Sequence, residues 1–226
     1  MSKVLASGDK HFPYTKKVFL NKLYKLIKKE KPDIIIDMGD LYDQYVFARF
    51  DRDLNFTNPK KEVAKMRKSA EDYWATIRNA APKARLIQLL GNHDVRMLKK
   101  CLSTFPEAYD FLKTVHEGLY DFAGVEVKKS DKEYVEIDGV VYCHGWMTKH
   151  TAHFGKSVVR AHDHKVWMEA KMDLKKTNNE FIFEASCGCF GDQSAVPLGY
   201  PSSKFTGWQA GALIIDDGYP RKPIIL

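Results

Sequence analysis

The chain is 226 residues long, 44% hydrophobic and 29% charged. That is a globular composition with ample apolar material for a core, and no apolar run approaches the roughly 18–20 residues of a membrane span. Four cysteines, two of them in Cys187-Gly188-Cys189, are too few and too badly spaced for a disulfide framework or a structural zinc site, and 36 basic against 29 acidic residues give +7, a weak bias toward anionic partners.

Residues 4–7 read as a short apolar strand, entered from Met1-Ser2-Lys3 without an apolar leader, so a cytoplasmic location without membrane attachment is expected (the host cytoplasm, should the chain be phage-encoded). Residues 15–31 form a helix in which Phe19, Leu23 and Ile27 alternate with lysines, and Pro32 stops it. Its lysine face, Lys16 to Lys31, is either solvated surface or a track for nucleic acid. Residues 33–38 are a β-branched run with the character of a central strand. Pro59 opens a helix reaching about residue 81, with Val63, Met66, Ala70, Tyr73, Trp74 and Ile77 on one face. A third strand, 85–90, and a helix, 106–119, come next. This alternation means a layered α/β protein with a largely parallel central region.

The second half is richer in strands: 125–128, 134–137, 140–144, 157–160, 166–170, 181–186 and 209–215, with Asp138-Gly139 as a hairpin turn. Without linker or repeat, residues 1–226 are expected to make one domain of two β-rich halves. The long irregular stretches 44–58 and 188–205 are candidates for lids or binding loops.

The turns at the strand ends carry the chemistry. Gly8-Asp9-Lys10-His11, Gly39-Asp40-Leu41-Tyr42-Asp43, Gly91-Asn92-His93-Asp94, His144-Gly145 and Ala161-His162-Asp163-His164 each come just after an apolar strand, where open α/β sheets place ligands. Each piece alone is better read as a turn; five in succession are not. Carboxylate, imidazole and amide oxygen together suit borderline divalent ions. Asp9, His11, Asp40, Asn92, His144, His162 and His164 are too many for one tetrahedral ion and fit two ions sharing a carboxylate, about 3.5–4 Å apart.

These blocks resemble the calcineurin-like metallophosphoesterases, whose pattern is D-x-H, G-D-x-x-D, G-N-H-[DE], a lone His, and G-H-x-H, over nearly the whole chain. A finer likeness is to small single-domain members met in phage and prophage genomes, carried by Arg49-Phe50, Arg96, Cys189 to Asp192 and Trp208 to Gly211. The resemblance implies a four-layer α/β/β/α sandwich, with two central mixed β-sheets flanked by helices. It implies that Asp9, His11 and His164 hold one ion, that Asn92, His144 and His162 hold the other, and that Asp40 bridges them. Manganese is the first expectation, with iron, zinc, nickel or magnesium as alternatives. A hydroxide between the ions would attack phosphorus while His93, oriented by Asp43, protonates the leaving oxygen. One departure is Ala161 where the pattern has glycine. Alanine lacks glycine's freedom at positive φ, so the loop must take a conformation alanine tolerates or shift slightly. Asp163 either orients an imidazole or faces solvent.

Candidate substrate contacts are Tyr42, Arg49, Arg96 and Trp146, with Tyr45, Arg52 and Lys149 behind them. Protein phosphatases of this superfamily carry Arg-Gly after the second carboxylate, where this chain has Gln44-Tyr45. The expected function is therefore a phosphodiesterase acting on nucleic acid or nucleotides. A phosphomonoesterase or protein phosphatase is the alternative, as is a binding scaffold without turnover, like the retromer scaffolding subunit of this superfamily.

Overall fold

The β-branched runs of the first half pair in parallel. The computed structural model describes residues 2–49, 53, 58–171, 182–198 and 207–226, and in it β1 (Lys3–Ser7), β2 (Ile34–Asp37), β3 (Arg85–Gln88) and β4 (Val125–Val127) lie side by side, Leu5 opposite Ile35 and Ile35 opposite Leu86. β10 (Gly211–Asp216) joins the free edge of β1 antiparallel, and β11 (Tyr219–Pro220) and β12 (Ile224–Ile225) pair with β10. The second sheet has the order β5 (Tyr134–Ile137), β6 (Val140–Cys143), β7 (Ser157–Arg160), β9 (Ile182–Cys187), β8 (Val166–Lys171), with β6, β7 and β9 parallel. Both sheets are mixed.

Period-two alternation decides the layers. Val4, Ala6, Ile36, Met38 and Ile87 face Val140, Tyr142, Val159, Phe183 and Ala185 across the gap between the sheets. The intervening Leu5, Ile35 and Leu86 point the other way, onto α1 (Lys17–Glu30) and α2 (Pro59–Ala80), meeting Leu23, Ile27, Met66, Ala70, Tyr73, Trp74 and Ile77. On the outer face of the second sheet, Val141, Cys143 and Val158 pack against Phe154 of the five-residue α5 (His150–Phe154). The layers run helix, sheet, sheet, helix, as expected. All four cysteines are buried free thiols.

Local chemistry accounts for the element ends. Asn58 accepts a hydrogen bond from the Lys61 N–H at 3.0 Å, with Pro59 in the first turn of α2, a cap that contributes about 1 kcal/mol. Asp138 and Gly139 both have positive φ (50° and 75°), as a tight turn between right-twisted strands requires. The helix expected over 106–119 is divided: Pro106–Ala108 is a 3-10 turn and α4 spans Tyr109–Leu119. Two helices escape the sequence pattern. α3 (Arg96–Thr104) starts after Val95 without any side-chain cap, so no start signal precedes it, and α5 is too short to show a period. α1 runs back from the strand C-termini to the start of β1, where Lys3 Nζ donates to Glu30 O; Lys28, Lys29 and Lys31 lie at that far end, all three exposed. No helix among the described residues is long and apolar enough to cross a membrane.

Candidate metal centre

Parallel pairing brings the turns after β1, β2 and β3 out side by side, and those after β6 and β7 likewise. Five of the chemistry-bearing residues in these turns are left-handed: φ is 51° at Asp9, 53° at His11, 51° at Asp40, 77° at His162 and 60° at His164. Non-glycine residues rarely stay there unless their surroundings fix them. Neighbouring turns do so here, the Asp9 N–H donating to Gly39 O and the His11 N–H to Asp40 O, both at 2.9 Å. Close approach dictates two glycines. A Cβ on Gly91 would lie 2.1 Å from Asp40 Oδ1, and one on Gly8 would lie 2.8 Å from Ala161 Cβ. The second contact explains the alanine at 161. Its φ is not positive, and its buried methyl takes the room Gly8 leaves between the sheets.

Asp9, His11, Asp40 and His164 each bring one possible ligand atom within 4.8 Å of the others, and so do Asp40, His144 and His162. Asp40 belongs to both groups. His11 directs Nδ1 at Asp43 Oδ1 (3.1 Å) and His144 directs Nδ1 at Met38 O (3.0 Å). Both partners are acceptors, so each ring spends its proton on Nδ1 and turns an Nε2 lone pair inward. There the lone pairs meet others: His11 Nε2 is 3.4 Å from His164 Nε2, and His144 Nε2 is 3.0 Å from Asn92 Oδ1. Asp9 Oδ2 accepts the His162 N–H (2.9 Å) and Asp40 Oδ1 the His93 N–H (2.8 Å), but Asp9 Oδ1 and Asp40 Oδ2 are buried with no hydrogen-bond partner among the described residues. Burial, reinforced by the charge of Asp40 and opposed by His144, pushes Asp9 up to about 7. Burial also opposes the charged form of His144, yet Asp40 and Asp9 outweigh it and push that imidazole up to about 10, so without an ion the carboxylates draw a proton onto its inward Nε2, where a cation would otherwise sit. Acceptors facing acceptors, with positive charge in deficit, is the electrostatic pattern that divalent cations relieve. The donor set fits such ions.

His93 stands against this group. Its Nδ1 is 2.8 Å from Asp43 Oδ1, its Nε2 is 3.9 Å from Asp40 Oδ2, and Arg96 Nη2 donates to that Nε2 at 2.8 Å. Burial opposes the charge of Asp43, but hydrogen bonds from His11 and His93, with Arg96 alongside, hold its carboxyl well below the usual range. One oxygen thus fixes two imidazoles. Asp94 fastens the third turn to the second, accepting the Gly91 N–H (2.8 Å), the Tyr42 N–H (2.9 Å) and the Tyr120 hydroxyl (2.7 Å). The sequence pattern left Asp94 without a role.

Behind Asp43 lies Glu62 of α2, buried, with Tyr14 and the Val46 N–H at its oxygens. Burial first, then the charge of Asp43, raise it from 4.5 to about 7. The folded state therefore keeps this proton over a range in which the unfolded chain releases it. The contribution of Glu62 to stability is full below pH 4.5 and falls as pH rises toward 7, by at most about 1.4 kcal/mol per pH unit. Glu62→Gln should remove this component of the decline. Urea denaturation across that range checks it, and identical pH slopes for both proteins would contradict the account.

The remaining candidates separate cleanly. Tyr42 is fully buried, its ring against Tyr120 and its hydroxyl donating to Leu119 O at 2.8 Å; it is core, and the expectation of a substrate contact there is corrected. Tyr45 is likewise buried, its hydroxyl receiving the Asp53 N–H. Trp146 is 40% exposed and packs edge-on against His153. Arg49 and Arg96 share a cavity with Asn92. Asp163 bonds neither neighbouring imidazole: it accepts from Trp167 Nε1 (2.7 Å) and Ser186 Oγ (2.5 Å) and pairs with Arg160 at 2.9 Å. Phe50 and Arg52 lie outside the described residues. The C-terminal Trp208-Gln209 acts as a brace. Trp208 meets His164 edge-on at 4.2 Å, and Gln209 accepts the Cys189 N–H at 2.8 Å and donates to His164 O at 3.0 Å. Cys189 Sγ also lies within 4.8 Å of the His11 and His164 nitrogens. Burial pushes that thiol well above its usual range.

The chain matches the sequence profile of calcineurin-like phosphoesterases over residues 2–185. No curated protein matches it significantly. Among solved structures it is similar to YfcE, a phosphoesterase from E. coli, at 14% identity over 98% of both chains with a TM-score of 0.44. It is also similar to vacuolar protein sorting 29 from Cryptosporidium parvum, at 14% identity over 94% of this chain and 83% of that one with a TM-score of 0.45. A Vps29 double mutant from Entamoeba histolytica matches at 11% identity over 99% of both, with a TM-score of 0.41.

Proposed function

The chain belongs to the calcineurin-like phosphoesterase family, and from that premise we propose that it is a metal-dependent phosphodiesterase acting on nucleic acid or nucleotides, with residues 1–226 as one catalytic domain. The observation that carries this reading is the pair of ligand groups sharing Asp40, with unpartnered carboxylate oxygens at Asp9 and Asp40 among the described residues. Asp9, His11 and His164 would hold one divalent ion, Asn92, His144 and His162 the other, and Asp40 both. When bound, the ions supply a water acidic enough to act as nucleophile near neutral pH and neutralise charge on the phosphoryl oxygens.

The chain's own groups do the rest. Asp43 holds the Nδ1 proton of His93, so the ring acts as an acid only after it takes up a second proton at Nε2 as imidazolium, and that is the proton handed to the departing alkoxide. Arg96 now occupies that nitrogen. A bound phosphate, a better partner for a guanidinium than a neutral ring, would draw Arg96 away and free it. Gln44 supports a diester over a monoester. Where the protein phosphatases have arginine, this side chain is buried, donating to Asp94 O (2.6 Å) and accepting the Met97 N–H (2.8 Å). No cation from that position grips a free phosphate dianion.

Turnover of bis-p-nitrophenyl phosphate and p-nitrophenyl phosphate by manganese-loaded and metal-stripped protein tests the proposal. The loaded protein should cleave the diester faster and the stripped protein neither. A faster monoester reaction, or no turnover with manganese, would overturn it.

A further inference from the structure

α3, the helix hidden from the sequence pattern, places Arg96, Lys99 and Lys100 at i, i+3 and i+4, on one face. That face borders a cavity of about 340 Å³ lined by Phe47, Arg49, Asn92, Arg96, Lys99 and Lys100, within the size range of small-ligand pockets. Two of the lining residues also touch the metal centre: Asn92 Oδ1 meets His144 Nε2, and Arg96 meets His93. The cavity therefore opens onto the reacting position. Among the described residues no carboxylate lines it. Lys99 is paired with Asp131 at 2.6 Å and Arg96 is held by Asp43, whereas among the described residues no acidic partner engages Arg49, which is exposed, or Lys100, which is half-buried.

We infer that this groove is a subsite for the nucleotide next to the scissile linkage in a nucleic-acid strand. Lys100 and Arg49 take its phosphate, and Phe47 takes its base. Unengaged cations flanking an aromatic side chain are the combination that grips a single strand, charge tracking the backbone while a ring receives a base. A simple diester would fill the metal centre alone and leave the groove empty. The inference rests on the phosphodiesterase reading but makes a separate demand, that binding energy comes from a second linkage.

The experiment separates the two. Fluorescein-labelled oligothymidylate and oligouridylate of six nucleotides are titrated with metal-stripped full-length protein by anisotropy over a range of salt, with tripolyphosphate as competitor, and turnover of bis-p-nitrophenyl phosphate is followed with manganese. Lys100→Ala should weaken oligonucleotide binding and lower the logarithmic salt slope by about 0.7, the share of one strand phosphate. Lys100→Glu should weaken it further, and Lys100→Arg should restore it. Phe47→Ala should cost roughly tenfold in oligonucleotide affinity and leave tripolyphosphate affinity unchanged. Turnover of the simple diester by Lys100→Ala should match wild type. Unaltered oligonucleotide binding in Lys100→Glu, or no binding by wild type, overturns the subsite whatever the diester assay shows. Tripolyphosphate competing as strongly as an oligonucleotide, with Phe47→Ala silent, overturns its assignment to a nucleotide. Oligonucleotide binding without diester turnover leaves the subsite standing and removes the catalytic reading. Tighter binding of one oligonucleotide shows whether DNA or RNA is preferred.

Discussion

An Asp40→Asn variant reconstituted with manganese should lose essentially all turnover and retain neither ion, where the wild type holds about two per chain. The variant keeps a side-chain oxygen able to accept the His93 N–H, so the turn should survive. It lacks the negative charge that Asp40 contributes to both ligand groups. Its Oδ2, buried and unpartnered among the described residues, lies 3.4 Å from His144 Nε2, and an amide NH₂ there would aim donors where cations are expected. Metal analysis after gel filtration gives the answer. A wild-type stoichiometry of one with full activity would sink the two-ion arrangement.

His93→Ala should separate the proton from the metals. It should keep both ions and lose about 10²–10⁴-fold in rate on a substrate with a poor alkoxide leaving group. The loss should be much smaller when p-nitrophenolate leaves, because that anion departs without a proton. His144→Ala should weaken metal binding and slow both substrates alike, since its Nε2 points at Asn92 Oδ1 and Asp40. Asp43→Asn falls between them. The spacing alone suggests a partner for His93 only, but Asp43 Oδ1 also receives Nδ1 of His11, so this change should reach an ion as well. Loss of metal in His93→Ala, or equal slowing of good and poor leaving groups, would remove the role given to His93.

The strands and their order of chemistry were legible because period-two runs are short, apolar and punctuated by glycine: 134–137 and 157–160 match the observed β5 and β7 end to end. Helix α2 announced itself with Pro59, whereas α3 begins at Arg96 with no capping side chain. Its basic face was invisible for that reason alone. The five motif pieces could be read as neighbours because parallel strands deliver their turns to one end. Which side chains face which was not readable. Tyr42 sits one residue before Asp43 yet points into the core, and Asp163 sits between two candidate ligand histidines yet bonds Trp167 of β8 and Ser186 of β9. Left-handed turns rotate successive side chains by amounts that one-dimensional spacing does not encode.

The two sheets contribute unequally to one set of ligands. Asp9, His11, Asp40 and Asn92 come after strands of the first, and His144, His162 and His164 after strands of the second. A cation held between Asp40 and His144 would therefore be a further cross-brace between two layers already joined by apolar contact and by the His144–Met38 and His162–Asp9 hydrogen bonds, and its binding free energy would at the same time be docking free energy for the layers. Anything that lets the layers breathe, from a small cavity in the Met38–Tyr142 interior to a lengthened hairpin at Asp138, is felt at the centre as weaker affinity before it is felt as unfolding. The Gly8–Ala161 contact, 2.8 Å for an added methyl, sets how closely the layers can approach at that point. In mechanical terms it is the fulcrum of the jaw, and the proposed ions would be what the jaw closes on.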